Sequence, residues 1–141
     1  MRIANYNTVE YKHKIQKFQS EKQKLEISEQ FDILAQREYN WDGRGSQKPT
    51  QLTLIHAKKI IDALLDSVTS VGYRCNMPSI SSDGDGNVTA VWYKNERQLH
   101  LQIGEHEAEY FKVWGTNIDT EMDVDFLTPE NYLPLWEWLI D

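Results

Sequence analysis

The chain is 141 residues long, 40% hydrophobic and 26% charged, with a formal net charge of −7. That length and composition suit one globular domain and exclude a disordered or collagen-like chain. A single cysteine, Cys75, excludes an internal disulfide and fits a reducing compartment. No apolar run follows Met1 and Arg2, and no window approaches the ~18 apolar residues of a membrane span. The expected setting is the cytoplasm, with no membrane partner.

The first element expected is a polar, basic helix over residues 8–26. Tyr11, Ile15, Phe18 and Leu25 share one stripe, which Lys22 interrupts, while Lys12, Lys14, Lys17 and Lys24 lie off it. Ser28 either caps a second short helix carrying Phe31, Leu34 and Ala35 or lies within a continuation of the first. The segment Asn40–Ser46 breaks the helix with two glycines. Thr50 then starts the clearest helix, with Leu54, Ala57, Ile61, Leu64 and Val68 in a three-four rhythm, stopping near Gly72.

From Pro78 the period changes to two. Ile80 sits in a short strand that ends at Asp83-Gly84-Asp85-Gly86-Asn87. Three strands follow, around Val88–Tyr93, Gln98–Ile103 and Ala108–Trp114, and a last one carries Met122, Val124 and Phe126. Thr128-Pro129-Glu130 has the cap, first-position proline and early acid of a helix start. Pro134 suggests that the closing helix begins only there. The fold class expected is α+β: N-terminal helices, an antiparallel meander of about four to five strands, and a C-terminal helix. The organisation expected is a single domain over 1–141, with a helical segment 1–39 and an α+β body 40–141.

Charge is divided unevenly. Residues 75–141 carry thirteen acids against three bases (Lys94, Arg97, Lys112), a net of −10, whereas residues 1–74 carry twelve bases against nine acids, a net of +3. The acids recur at every second position: Glu105, Glu107 and Glu109, then Asp119, Glu121, Asp123 and Asp125. Period-two spacing on an extended chain points each set to one face. If 106–114 and 118–126 form a hairpin, both rows share a face, although Phe111 and Val113 have the parity of Glu109 and require a twist or bulge to separate them. Crowded like charges do not stabilise a sheet, so such a face suits a basic partner.

Other constellations read as structure. Trp41-Asp42-Gly43-Arg44-Gly45 is either an anion-binding nest or a joint, and it lacks the Gly-Lys-Ser/Thr ending of a phosphate loop. Asp83–Asn87 starts like a calcium loop, yet Val88 stands where glycine is needed and Lys94 where the bidentate glutamate belongs. The four histidines are dispersed, leaving no metal spacing. His100 with Glu107 or Glu109 is the only conceivable acid–base pair. No catalytic, metal or cofactor site is expected.

The Trp-Asp-Gly-x-Gly turn followed by a proline and an amphipathic helix, with Pro78, Asp85-Gly86-Asn87-Val88 and Trp92 further on, resembles small uncharacterised bacterial and phage proteins. The resemblance covers roughly residues 40–115. It implies a domain of that kind and supplies neither activity nor site.

The leading expectation is a non-enzymatic acidic protein that neutralises a basic, nucleic-acid-handling protein, as immunity proteins, antitoxins and phage anti-defence inhibitors do. Its contact residues would be Glu105, Glu107, Glu109, Asp119, Glu121, Asp123 and Asp125, with Tyr110 and Trp114 as aromatic anchors. The alternative is a nucleic-acid-binding or regulatory module using Lys12, Lys14, Lys17, Lys22 and Lys24. The Tyr11–Phe18 stripe also offers a homodimer contact.

Overall fold

The computed structural model describes residues 8–141; Met1, Arg2 and the rest of 1–7, the start of the expected N-terminal segment, lie outside the described residues. Helix α1 runs from Thr8 to Ala35 as one 28-residue element. The second of the two N-terminal possibilities holds: Ser28 lies inside the helix. No proline or glycine interrupts the stretch, and its Lys, Gln, Glu and Leu content is strongly helix-forming. Helix α2 spans Gln51–Ser70, capped by Thr50, whose hydroxyl accepts from the Thr53 amide at 3.2 Å. It ends at Val71 and at Gly72, where φ is +94°.

Five strands follow: β1 (Ser79–Ser82), β2 (Val88–Lys94), β3 (Arg97–Ile103), β4 (Ala108–Val113) and β5 (Met122–Phe126). They form one antiparallel sheet in the order β1-β2-β3-β4-β5, the expected meander. A 3-10 turn, Pro129–Asn131, leads into α3, Tyr132–Ile140. This helix starts two residues earlier than Pro134 suggested. The proline occupies the first turn, where an amide has no helical acceptor and its loss is harmless.

The register defines two faces. On one, Val88 pairs with Ile103 and then Ala108, Ala90 with Leu101 and Tyr110, and Trp92 with Leu99. These residues are buried in one cluster with Ala57, Ile61, Leu64 and Val68 of α2 and Leu135, Trp136 and Leu139 of α3. The Trp92 indole donates to the Asn76 carbonyl at 2.8 Å and meets Trp136 edge-on, with centroids 6.2 Å apart. Helix α1 packs on α2 and β1 and buries only Ile27, Phe31 and Leu34. The stripe expected to seat α1, Tyr11–Ile15–Phe18–Leu25, is instead exposed. Among the described residues all the covering helices therefore lie on one side of the sheet, and none lies on the other.

Candidate functional site

The open face is built by the alternate residues of the same strands. Its central row runs Ser79–Val91–His100–Phe111–Val124 across all five strands. On one side of it lie Ser81, Thr89, Gln102, Glu109 and Phe126, and on the other Tyr93, Gln98, Val113 and Met122. Tyr93 is 66% exposed, Phe126 64% and Val124 41%. The face thus has an apolar side on β4 and β5 and one carboxylate, Glu109, and none of its strand residues is Lys or Arg. Half of its strand positions are polar, as on a solvated antiparallel side, and the apolar ones concentrate on β4 and β5: Phe111, Val113, Met122, Val124 and Phe126.

His100 lies at the middle of that face. Its ring is tilted 50° against Phe111, with centroids 5.4 Å apart. Burial holds its pKa below the ordinary histidine value, partly offset by the Asp83 carboxylate. Its Nε2 is buried without a hydrogen-bond partner. The acid–base pairing considered for His100 does not form: Phe111 stands opposite it, Glu109 stands opposite Gln102, and Glu107 lies in the β3–β4 turn.

The carboxylates do not share one face. Glu109 pairs with Phe126 and points to the open side, whereas Asp123 pairs with Lys112 and Asp125 with Tyr110, on the helix-covered side. One residue of register decides this, because directly opposed residues project together. Phe111 and Val113 follow Glu109 with no intervening bulge, so the face changes from acidic to apolar along β4. Glu105 sits in the turn before β4 and accepts from the Thr50 hydroxyl at 2.7 Å. Asp119 lies in the β4–β5 loop, where its amide donates to Asn117 Oδ1 at 3.0 Å. Glu121 folds its carboxylate over Gly115: a Cβ there would lie 1.7 Å from Oε2. Asp123 stands 3.8 Å from Lys112 Nζ, and Asp125 accepts from the Phe126 amide at 2.7 Å.

The aromatic anchors separate as well. Tyr110 is 8% exposed and belongs to the core, so it is corrected from surface anchor to packing residue. Burial raises its phenol pKa, with Asp123 and Asp125 adding to the shift. Trp114 is half-buried at the sheet's end, edge-on to Trp138 at 6.2 Å. The three bases of residues 75–141 gather at that same end on the helix side. Arg97 and Lys112 lie over the Trp138 ring at 5.3 and 5.5 Å, and Lys94 pairs with Arg97 across the β2–β3 turn. Arg97 also donates to the Trp138 carbonyl near the end of α3. The sheet's positive charge is segregated away from the open face.

The two motif-like loops are joints. Asp42 accepts from the Arg44 amide at 2.9 Å and from the Ser46 hydroxyl at 2.6 Å, the latter chiefly holding its pKa down. Asn40 Oδ1 takes the Gly45 amide, and Arg37 lies 3.8 Å over the Trp41 ring. Amides that an anion would need are therefore already used. Asp83 similarly accepts from the amides of Asp85 and Asn87 at 2.9 Å each, closing the β1–β2 turn. Among the described residues no group of three His, Cys, Asp or Glu is placed to hold a metal. Among the same residues no helix is long and apolar enough to cross a membrane. Cys75 is buried and its thiol is pushed up to about 12; burial makes it inert.

On α1, Lys12, Lys14, Lys17 and Lys22 are exposed, and Lys24 is held by Asp66 at 2.8 Å. The exposed stripe of the same helix carries Ile15, Phe18 and Leu25. No family model, curated protein or solved structure matches the chain.

Proposed function

We propose that this is a non-enzymatic binding protein that neutralises a basic, nucleic-acid-handling protein by covering part of its surface with the open sheet face, in the manner of an immunity protein, antitoxin or phage anti-defence inhibitor. The observation that carries this reading is the uncovered face itself. Phe111, Val124 and Phe126 supply an apolar patch toward the β5 edge, Glu109 with the turn acids Glu105 and Glu107 supplies a negative border, and no Lys or Arg lies on the strands of the face. Exposed apolar area rimmed by charge is characteristic of protein contacts. A negative border steers a positively charged partner and rejects phosphates. Compared with the contact set read from sequence, the proposed one keeps Glu105, Glu107 and Glu109, adds the apolar residues, and leaves out Tyr110, Trp114, Asp119, Glu121, Asp123 and Asp125.

Affinity capture from the native host, quantified by mass spectrometry, tests this with paired baits. Basic nucleic-acid-handling proteins should be retained by wild-type chain and by Asp125→Lys, and depleted with Phe126→Ser and, less strongly, with Glu109→Lys. A retained set indifferent to the open-face changes sinks the reading. A second surface, the outer stripe of α1, favours pairing of two copies. Its exposed apolar residues serve that role better than they serve the alternative, nucleic-acid contact through Lys12, Lys14, Lys17, Lys22 and Lys24.

A further inference from the structure

Every residue of α1 from Thr8 to Gln19 is exposed. A helical segment of that length is marginal in water unless packing supports it. At 100° per residue, Ile27, Phe31 and Leu34, which the body buries, project from one side of the helix. Tyr11, Ile15, Phe18, Lys22, Leu25 and Glu29 project from the opposite side. Their spacing is four, three, four, three, four, which is the seam spacing of a two-stranded coiled coil. Phe18 is 68% and Leu25 64% exposed, and Ile15 is also exposed. This seam faces away from the protein's own core.

Charge along the same helix is polarised. Residues 8–25 hold five lysines and two glutamates, a net of +3, whereas residues 26–35 hold Glu26, Glu29 and Asp32 with no base, a net of −3. Two copies aligned in parallel would stack Lys22 on Lys22 and Glu29 on Glu29, along with two like-charged ends. Two copies aligned antiparallel about residue 20 set each basic segment against the other's acidic one. That alignment brings Ile15 beside Leu25 of the second copy and Lys12 beside its Glu26, while Phe18 packs on the aliphatic stem of Lys22.

We infer that α1 is a self-recognition element that joins two copies of this chain as an antiparallel helix pair, deepening the self-association reading on which it rests. The two bodies then lie at opposite ends of the pair, and each keeps its sheet face free. The assembly is a two-headed binder, for which linkage of two sites raises avidity without new contacts.

Sedimentation velocity of the full chain across the micromolar range should give a monomer–dimer equilibrium. Phe18→Glu should weaken it about tenfold or more, the equivalent of roughly 1.4 kcal/mol, with the circular dichroism of the variant matching that of the wild-type chain diluted to the monomer. A mixture of Lys12→Glu and Glu26→Lys chains should dimerise better than either alone. Oxidising a mixture of Ile15→Cys and Leu25→Cys chains should yield the mixed disulfide. Homodisulfides of Ile15→Cys chains in preference would overturn the antiparallel arrangement while leaving self-association standing. A dimer indifferent to Phe18→Glu overturns the assignment of self-association to this seam of α1, and a chain that stays monomeric throughout overturns self-association itself. So does a monomer that retains duplex DNA or RNA through its lysines.

Discussion

The two faces of the sheet come from the same strands and differ in what lies over them. On the covered face Val88, Ala90, Leu99, Leu101 and Ile103 are fully buried by α2 and α3. On the open face Val91, Phe111, Val113, Met122, Val124 and Phe126 are apolar too, yet no helix among the described residues covers them. Burial of apolar area drives folding by roughly 25 cal/mol per Å², so the first set is explained by stability. The second set, half-buried or exposed, realises only part of that gain, on a face that also carries Thr89, Gln98, Gln102 and Glu109. The contrast separates residues that folding explains from residues that the proposed contact would explain.

Substitution across the two faces gives the largest expected difference. Trp92→Ala removes a buried indole and its bond to Asn76, and should cost about 3–5 kcal/mol in urea unfolding. Phe126→Ala, on the open edge strand, should cost less than about 1 kcal/mol. Equal costs would mean that the open face is structural after all. For partner binding the order reverses. Val124→Ser combined with Phe126→Ser should weaken affinity at least tenfold, about 1.4 kcal/mol or more, by titration calorimetry with the captured partner. Loss of stability without loss of affinity would assign the contact elsewhere.

The third comparison is electrostatic and smaller. Glu109→Lys, on the open face, should lower the association rate and flatten its salt dependence, whereas Asp123→Lys, across the sheet beside Lys112, should do so far less. Stopped-flow association at several ionic strengths distinguishes them. Equal effects would show that overall charge, and not its placement, steers encounter.

What the sequence made legible follows from periodicity. The three-four rhythm of Leu54–Val68 and the alternation of Val88–Ile103 specify α2 and the central hairpin because each element buries one regular side. Register on β4–β5 was harder. Glu109 and Asp125 look alike in sequence, but the loop 114–121 contains Gly115 and an irregular turn, and its length decides which parity faces the helices. A one-residue change in that loop would have put Asp125 beside Glu109. Tyr110 was misread for the same reason, since its alternation with Glu109 fits either side until the pairing with Leu101 and Asp125 is known. On α1 the exposed stripe was visible as spacing, but the body takes the less conspicuous set Ile27, Phe31 and Leu34, which begins only past the helix's midpoint.

The smallest expected effect lies at the centre of the open face. His100 is neutral at pH 7 because burial holds its pKa below the ordinary 6.5, with Asp83 opposing the shift. A base with a lowered folded-state pKa contributes stability that is full above its ordinary value and is lost as pH falls below it, since the unfolded chain takes up the proton first. Covering the face with a partner removes water from the ring and disfavours the imidazolium further. Affinity should therefore be flat above neutrality and weaken a few-fold toward pH 5, with proton release accompanying binding in that window. His100→Gln keeps a polar side chain of similar reach without the titration, and it should abolish this slope while preserving affinity at pH 7.5 within a few-fold. A slope that persists in His100→Gln would place its origin in the partner, and with it would go the assignment of His100 to the covered centre of the contact.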